Sequence, residues 1–300
     1  MRYYFAPLEG ITDSIYRQLH HQFYPGIDRY YTPFLSPTVH RSLTSKEQRE
    51  IPPADTLAYS LVPQLLTKNP EDFIWMAQQC AERGYTEVNL NLGCPSGTVT
   101  AKGKGSGLLR DPDALDQFLN DIYASAPIDI SIKTRIGYSD PDEFPALLEI
   151  FNRYPVKELI VHPRIRSAFY DGTVNMDMFR YVLENSRAPL CYNGDIRLSE
   201  QVKALPPVNA VMIGRGLIAN PGMLSCNNDI HTLEAFHDAL LDAYIDVFSG
   251  SRNAMFRLKE HWHYILSRFD GTEKLGKQLR KTTDLADYKR ITHQIFQIIR

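Results

Sequence analysis

Across residues 1 to 218, short β-rich runs alternate with longer stretches of helical periodicity, and no other feature restricts the fold of the chain as strongly. Eight runs can be read: RYYFAPLEG (2 to 10), RYYTPFLS (29 to 36), LAYSLVPQLLT (57 to 67), EVNLNLG (87 to 93), DISIKTRIG (129 to 137), ELIVHPR (158 to 164), PLCYNGD (189 to 195) and NAVMIGRG (209 to 216). Helix start signals lie between them. Asn69-Pro70-Glu71-Asp72 opens one helix, stopped by Gly84, and Asp111-Pro112-Asp113 opens another. In both, a side-chain oxygen can accept from the free amides of the first turn, and proline at the first helical position gives up an amide that had no partner. Strands joined through helices run parallel, so the pattern predicts an α/β fold, a (β/α)8 TIM barrel of about 200 to 250 residues. After Pro221-Gly222 the strand pattern ceases, and the remainder reads as helices broken near Gly250 and from Gly271 to Gly276. The expected organisation is a barrel domain over 1–230 and a small C-terminal all-helical domain over 231–300.

With 300 residues, 43% of them hydrophobic, the chain can bury a sizeable core. Its four cysteines, Cys80, Cys94, Cys191 and Cys226, form no CxxC pair and no Cys/His cluster at zinc spacing, so neither a disulfide framework nor a metal site is expected. The opening MRYYFAPLEGITDS lacks the pattern of a secretory leader, and no run reaches the ~18 apolar residues of a membrane span; a reduced, cytoplasmic protein is expected. The net charge of −2 hides an asymmetry. Residues 251 to 300 hold 11 basic and 5 acidic side chains, a net +6, against −8 for the rest. That excess suits a polyanion, although a solvated helical face is the more usual reading of a charge run taken alone, and the interleaved Phe256, Trp262, Tyr264, Phe269 and Tyr288 are equally compatible with a small helical core.

In a TIM barrel the chemistry sits at the C-terminal ends of the strands, and almost every end here carries a polar residue. The third run presents Gln64; the fourth Asn89, Asn91 and Cys94; the fifth Lys133 and Arg135; the sixth His162 and Arg164; the seventh Asn193 and Asp195; the eighth Arg215. A lone Gln, Asn or His at a strand end is commonly a satisfied rim group. Lys133 is different, because an ammonium inside ISIKTRIG is costly without a partner, and an anion or an electron-rich ring is the expected one. Gly214 and Gly216 around Arg215 would let backbone amides approach a phosphate. The glycine-rich loop SGTVTAKGKGSG (96 to 107) fits no nucleotide-binding fingerprint and is expected to be mobile until a ligand orders it. Cys80, Cys191 and Cys226 read as inert, whereas Cys94, in Asn-Leu-Gly-Cys-Pro-Ser at a strand end, can act as an acid or nucleophile.

In these segments the chain resembles the dihydrouridine synthase family of flavoenzymes. Ala6-Pro7-Leu8-Glu9-Gly10 with Thr12-Asp13 is similar to the family's APM-x-G-x-TD start, with Leu8 where methionine is usual. Asn89 to Pro95 is similar to its N-x-N-x-GCP signature, followed by Val99, Gly103, Gly105, Gly107 and Leu108-Leu109. Lys133 and Arg135 match its K-x-R strand, Asn193 to Ile196 its NGDI, and Met212 to Gly216 its MIGRG. One segment departs: where the family has HGR-T-x-x-Q-x-Y-x-G, this chain has His162-Pro163-Arg164-Ile165-Arg166-Ser-Ala-Phe169-Tyr170-Asp-Gly172, with proline in place of glycine.

The resemblance implies an FMN-dependent oxidoreductase that reduces the uracil C5–C6 bond of uridines in tRNA, with NADPH as reductant and NADH as the alternative. It assigns FMN contacts to Pro7, Leu8, Glu9, Gln64, Lys133, His162, Asn193, Gly194, Asp195, Gly214 and Arg215, and the proton donor to Cys94. Substrate contacts are expected at Asn89, Asn91, Arg135, Arg164, Arg166 and Tyr170, with Lys102, Lys104, Arg257, Lys259, Lys274, Lys277, Arg280 and Lys281 on the RNA backbone. A monomer is expected. The alternatives are an FMN barrel acting on a free pyrimidine in the manner of dihydroorotate dehydrogenases, a non-catalytic RNA-binding protein, and the same reaction on ribosomal RNA.

Overall fold

The computed structural model describes all residues except Val39 and Ser249. They form two compact units, one of Met1–Pro7, Asp28–Gly194 and Leu205–Met212, the other of Leu8–Ile27, Asp195–Ala204 and Ile213–Arg300.

The first unit is built on a parallel sheet of β1 (Arg2–Phe5), β2 (Arg29–Tyr31), β3 (Leu61–Val62), β4 (Gln64–Leu65), β5 (Glu87–Leu92), β6 (Asp129–Arg135), β7 (Leu159–His162), β8 (Leu190–Tyr192) and β9 (Ala210–Ile213). The strand order is β3-β2-β1-β9-β8-β7-β6-β5-β4. Its two ends are neighbours in the chain, since β3 and β4 are separated by Pro63 alone. Proline has no amide to give to a ladder, so one expected strand is divided in two. Its first half pairs with β2 and its second with β5, while Asn89 N donates to Pro63 O at 2.8 Å. The sheet therefore closes, and the eight runs read from the sequence are the eight positions of a TIM barrel. The run expected at 2 to 10 yields a strand only to Phe5.

Helices follow the strands as the start signals predict. Asn69 Oδ1 accepts from Asp72 N at the start of Pro70–Ala81, and Asp111 Oδ1 accepts from Ala114 N at the start of Pro112–Ser125. Gly84 takes φ +83° three residues beyond the first of these helices.

The second unit is helical. Four long helices, Ile230–Phe248, Ser251–Ile265, Glu273–Lys281 and Leu285–Ile299, are joined by Ser14–Phe23 from near the N-terminus. Its core is aromatic: Phe236 packs edge-on to Tyr16 at 5.5 Å and to Tyr24 at 5.2 Å, and Trp262 Nε1 donates to the buried Tyr288 hydroxyl at 3.0 Å. Of the five tail aromatics, Trp262 and Tyr288 are core while Phe256 is exposed. Gly276 is no helix breaker. It lies inside Glu273–Lys281, where a Cβ would come within 2.9 Å of Leu266 Cδ1, so its role is close helix packing.

Candidate active site

Strand register decides which side chains share the barrel interior. Gln64 lies opposite Asn89, Asn89 opposite Ser131, Asn91 opposite Lys133, and Arg135 opposite His162. Because side chains alternate along a strand, these residues point to one face, and the apolar Leu90, Leu92, Ile132 and Val161 point to the other. At the N-terminal end of the same interior the buried carboxylates are taken up. Glu158 accepts from Arg2 at 3.0 Å and from the Tyr4 hydroxyl at 3.1 Å, and Glu87 from Arg29 at 3.0 Å.

Towards the C-terminal ends three amides satisfy one another. Gln64 Nε2 donates to Asn89 Oδ1 at 2.8 Å, Asn89 Nδ2 to Ser131 Oγ at 2.9 Å, and Asn91 Nδ2 to Gln64 Oε1 at 2.7 Å. Asn89 is fully buried and both ends of its amide are used, so its place is in the support of the site. Asn91 turns its oxygen outward along the chain and accepts from Gly93 N at 3.1 Å and Cys94 N at 2.9 Å. This fixes the turn that carries the half-buried thiol. From the other side Ser106 Oγ donates to the Cys94 carbonyl at 2.7 Å. The glycine-rich loop is folded on itself rather than open, with Gly105 to Leu109 buried. Gly105 has φ +58°, and a Cβ at Gly107 would meet Thr100 O at 2.8 Å.

Lys133 stands among these groups. Its side chain makes no hydrogen bond or ion pair among the described residues, and burial, with Arg135 beside it, pulls the ammonium down to about 8. Arg135 is 1% exposed; it donates to Gly93 O at 2.9 Å and to Ile165 O at 2.9 Å, and burial pulls it down to about 10. Two cations thus share a desolvated interior, which an electron-rich or anionic ligand would relieve.

After β7 the chain turns at Pro163, whose missing amide costs nothing because the following bond, Arg164 N to His162 O at 2.7 Å, spans it. Arg164 donates to Asp171 O at 3.2 Å and to Gly172 O, and its NH1 lies 3.4 Å from His162 Nε2. The His162 and Tyr170 rings stack at 6.2 Å, and Arg135 lies 5.4 Å from the Tyr170 ring centre. Arg166 donates to Pro95 O at 3.2 Å and Thr100 Oγ1 at 3.3 Å. The structure therefore brings Gln64, Asn89, Asn91, Cys94, Lys133, Arg135, His162, Arg164, Arg166 and Tyr170 together. Asn193 spends its amide on Met212 O at 2.8 Å, and a Cβ at Gly194 would crowd the Val174 side chain at 2.8 Å. Lys102 is exposed and Lys104 half-buried on the Cys94 loop. Sequence reading missed Ser106, Ser131 and Thr100; ordinary hydroxyls in a strand or loop carry no signal until their partners are known.

Other expected contacts belong to the second unit. Leu8 O accepts from Ile11 N and Thr12 N, and Asp13 caps helix Ser14–Phe23 by accepting from Tyr16 N at 3.0 Å. Arg215 pairs with Asp195 at 3.1 Å, Asp195 having φ +43°. Gly216 is accounted for by packing, since a Cβ there would lie 2.1 Å from Ile196 O. In the tail Lys274, Lys277, Arg280 and Lys281 are exposed. Arg257 and Lys259 make contacts within the unit. Arg257 donates to Gly10 O and lies 3.6 Å from Asp13, and Lys259 donates to Thr282 O at the end of helix Glu273–Lys281. Among the described residues no group of three or more His, Cys, Asp or Glu could hold a metal ion, and no helix is long and apolar enough to cross a membrane.

The chain is similar to known proteins. Residues 4–296 match the family model described as dihydrouridine synthase. The chain is 29% identical to tRNA-dihydrouridine synthase B of Pasteurella multocida (strain Pm70) over 224 residues, 73% of this chain and 67% of that one. It is 26% identical to the probable tRNA-dihydrouridine synthase of Staphylococcus aureus (strain MRSA252) over 304 residues, 94% of this chain and 89% of that one. Among solved structures a morphinone reductase mutant in complex with tetrahydroNAD superimposes with a TM-score of 0.52 at 11% identity, covering 74% of this chain and 85% of that one, a likeness of fold alone. With the signature around Cys94, the Lys133 strand and a family match over nearly its whole length, the chain belongs to the dihydrouridine synthase family.

Proposed function

We propose that this enzyme reduces uridines in tRNA to dihydrouridine, with FMN as its bound cofactor and NADPH as reductant. The observation that carries the reading is the ammonium of Lys133 inside the barrel, without a hydrogen bond or ion pair among the described residues, beside an amide network that holds the turn carrying Cys94. The names of the curated relatives support tRNA as the substrate.

The residues present fit a flavin. A cation in the barrel interior with no carboxylate partner among the described residues matches the electron-rich edge of an isoalloxazine ring, and Gln64, Asn193 and His162 lie at strand ends as well. Leu8, Glu9, Asp195, Gly214 and Arg215 are the further FMN contacts that the family implies, and the Arg215 guanidinium is of the kind suited to a phosphate. FMN held there would, once reduced, supply the hydride for uracil C6. Cys94 supplies the proton for C5, from a thiol whose position is set by Asn91 and Ser106. Arg164 and Tyr170 hold the base, with His162 beside them. A stacked uridine cannot enter a barrel mouth, so the target nucleotide must be extruded, at a cost of a few kcal/mol. Exposed Lys274, Lys277, Arg280 and Lys281 offset that cost by gripping phosphates without reading sequence.

The test is a spectrum followed by turnover. Purified protein reconstituted with FMN is expected to show a flavin absorption band that NADPH bleaches and that reappears on addition of unmodified tRNA under anaerobic conditions. A protein that takes up no flavin, or whose reduced flavin ignores tRNA while responding to a free pyrimidine, would overturn the reading.

A further inference from the structure

Arg166 and Phe169 of the loop after β7 form, with Arg110 and Tyr138, a series of stacked groups that the chemistry above does not use. The Arg110 guanidinium lies 4.9 Å from the Tyr138 ring centre, and the Arg166 guanidinium lies 5.2 Å from that ring and 5.1 Å from the Phe169 ring. Cation, ring, cation and ring thus follow one another and end on Phe169. The series is anchored beside the proton donor, because Arg166 donates to the carbonyl of Pro95, the residue after Cys94.

Phe169 itself is 42% exposed and has φ +46°, a conformation that a side chain with a Cβ adopts unfavourably. Burial of apolar surface does not explain a ring held there. Its neighbour Tyr170 turns to other company, His162 and Arg135. Two successive aromatic residues therefore serve two places, Tyr170 at the groups assigned to the target base and Phe169 at the end of the arginine-backed series.

From this geometry we propose that Phe169, backed by Arg166, Tyr138 and Arg110, is a stacking subsite for the nucleobase adjacent to the extruded uridine. A flat π face suits any base and reads none, and a guanidinium behind the ring strengthens stacking while offering charge to the flanking phosphate. Extrusion leaves the neighbouring base without its stacking partner, and the Phe169 ring replaces it. The subsite would act on capture of the nucleotide and leave proton transfer alone. This inference rests on the RNA reading above.

The experiment is a cycle between protein and RNA. Wild-type holoenzyme and Phe169→Ala are assayed on tRNA whose modified uridine has been mapped, and on the same RNA made abasic at each flanking nucleotide in turn. Phe169→Ala is expected to lower kcat/KM about ten-fold, mostly through KM. One abasic site should lower the wild-type value by a similar factor and add nothing to the variant, because both changes remove the same stacking interaction. Phe169→Trp should retain activity, and Phe169→Leu should behave as Phe169→Ala. Effects that multiply, or a Phe169→Ala enzyme equal to wild type, would overturn the subsite. A slower Cys94 alkylation rate or lower Tm in Phe169→Ala, unrescued by Phe169→Trp, would assign the ring to loop structure instead. Wild-type enzyme that forms no dihydrouridine on any RNA would remove the parent reading, a result distinct from all of these.

Discussion

Enclosing the Lys133 ammonium carries a cost in the folded chain that a bound electron-rich or anionic ligand would relieve. Its ammonium titrates near 8 in the folded protein and near 10.5 when exposed, so below about 8 both states are charged and the full penalty of enclosing the charge is present. Between 8 and 10.5 the unfolded state binds more protons, and the penalty fades as pH rises through that window. Flavin-free Lys133→Met is accordingly expected to be more stable than wild type at pH 7 by chemical denaturation, with the gap closing toward about pH 10, while its affinity for FMN falls. A variant less stable at pH 7 would mean that the ammonium is already compensated. Cys94→Ala is expected to bind FMN normally and to lose product formation by about 10²-fold or more, the usual share of a positioned acid. Both residues were legible in the sequence because each breaks a local rule, a lysine inside a β-run and a cysteine between glycine and proline at a strand end. Ser106 and Phe169 break none, and only their contacts, with the Cys94 carbonyl and the Arg166 guanidinium, mark them.

The element that matters most is the turn and loop from Gly93 to Arg110. Asn91 holds one end through two amides, Ser106 the other through the Cys94 carbonyl, and Gly107 lets the returning chain lie against Thr100. A methyl at Gly107 must displace backbone, so Gly107→Ala is expected to cost about 1–3 kcal/mol in denaturant unfolding and to make Cys94 react faster with an alkylating reagent. Unchanged stability and reactivity would show the loop to be looser than its contacts imply. The sequence suggested a mobile loop because glycine content is visible and burial is not. Helix starts at Asn69 and Asp111 were readable because a cap is a local interaction. The division of one strand at Pro63 and the helical place of Gly276 were not, since the first depends on which neighbours need an amide and the second on Leu266 lying close by.

At the scale of the molecule, eight β-runs sufficed to announce a closed barrel, because parallel strands joined by helices have few other ways to finish. The division of the chain was less legible. Its helical unit draws Leu8–Ile27 and Asp195–Ala204 as well as the tail, and contacts between distant segments such as Tyr244 and Asp13, 3.0 Å apart, leave no mark on composition. The basic excess of the tail makes a separate prediction. Neutralising Lys274, Lys277, Arg280 and Lys281 to glutamine is expected to weaken tRNA binding and to reduce the salt slope of log Kd by about one unit for each phosphate no longer neutralised, measured between about 50 and 200 mM salt. An unchanged slope would return these residues to the role of a solvated face. The central claim is tested most directly by incubating wild-type and Cys94→Ala holoenzyme with NADPH and unmodified tRNA and measuring dihydrouridine by nucleoside mass spectrometry. Dihydrouridine formed by wild type and lost in Cys94→Ala is the predicted result; a flavin-loaded, NADPH-oxidising enzyme that leaves every uridine of tRNA unreduced would contradict it.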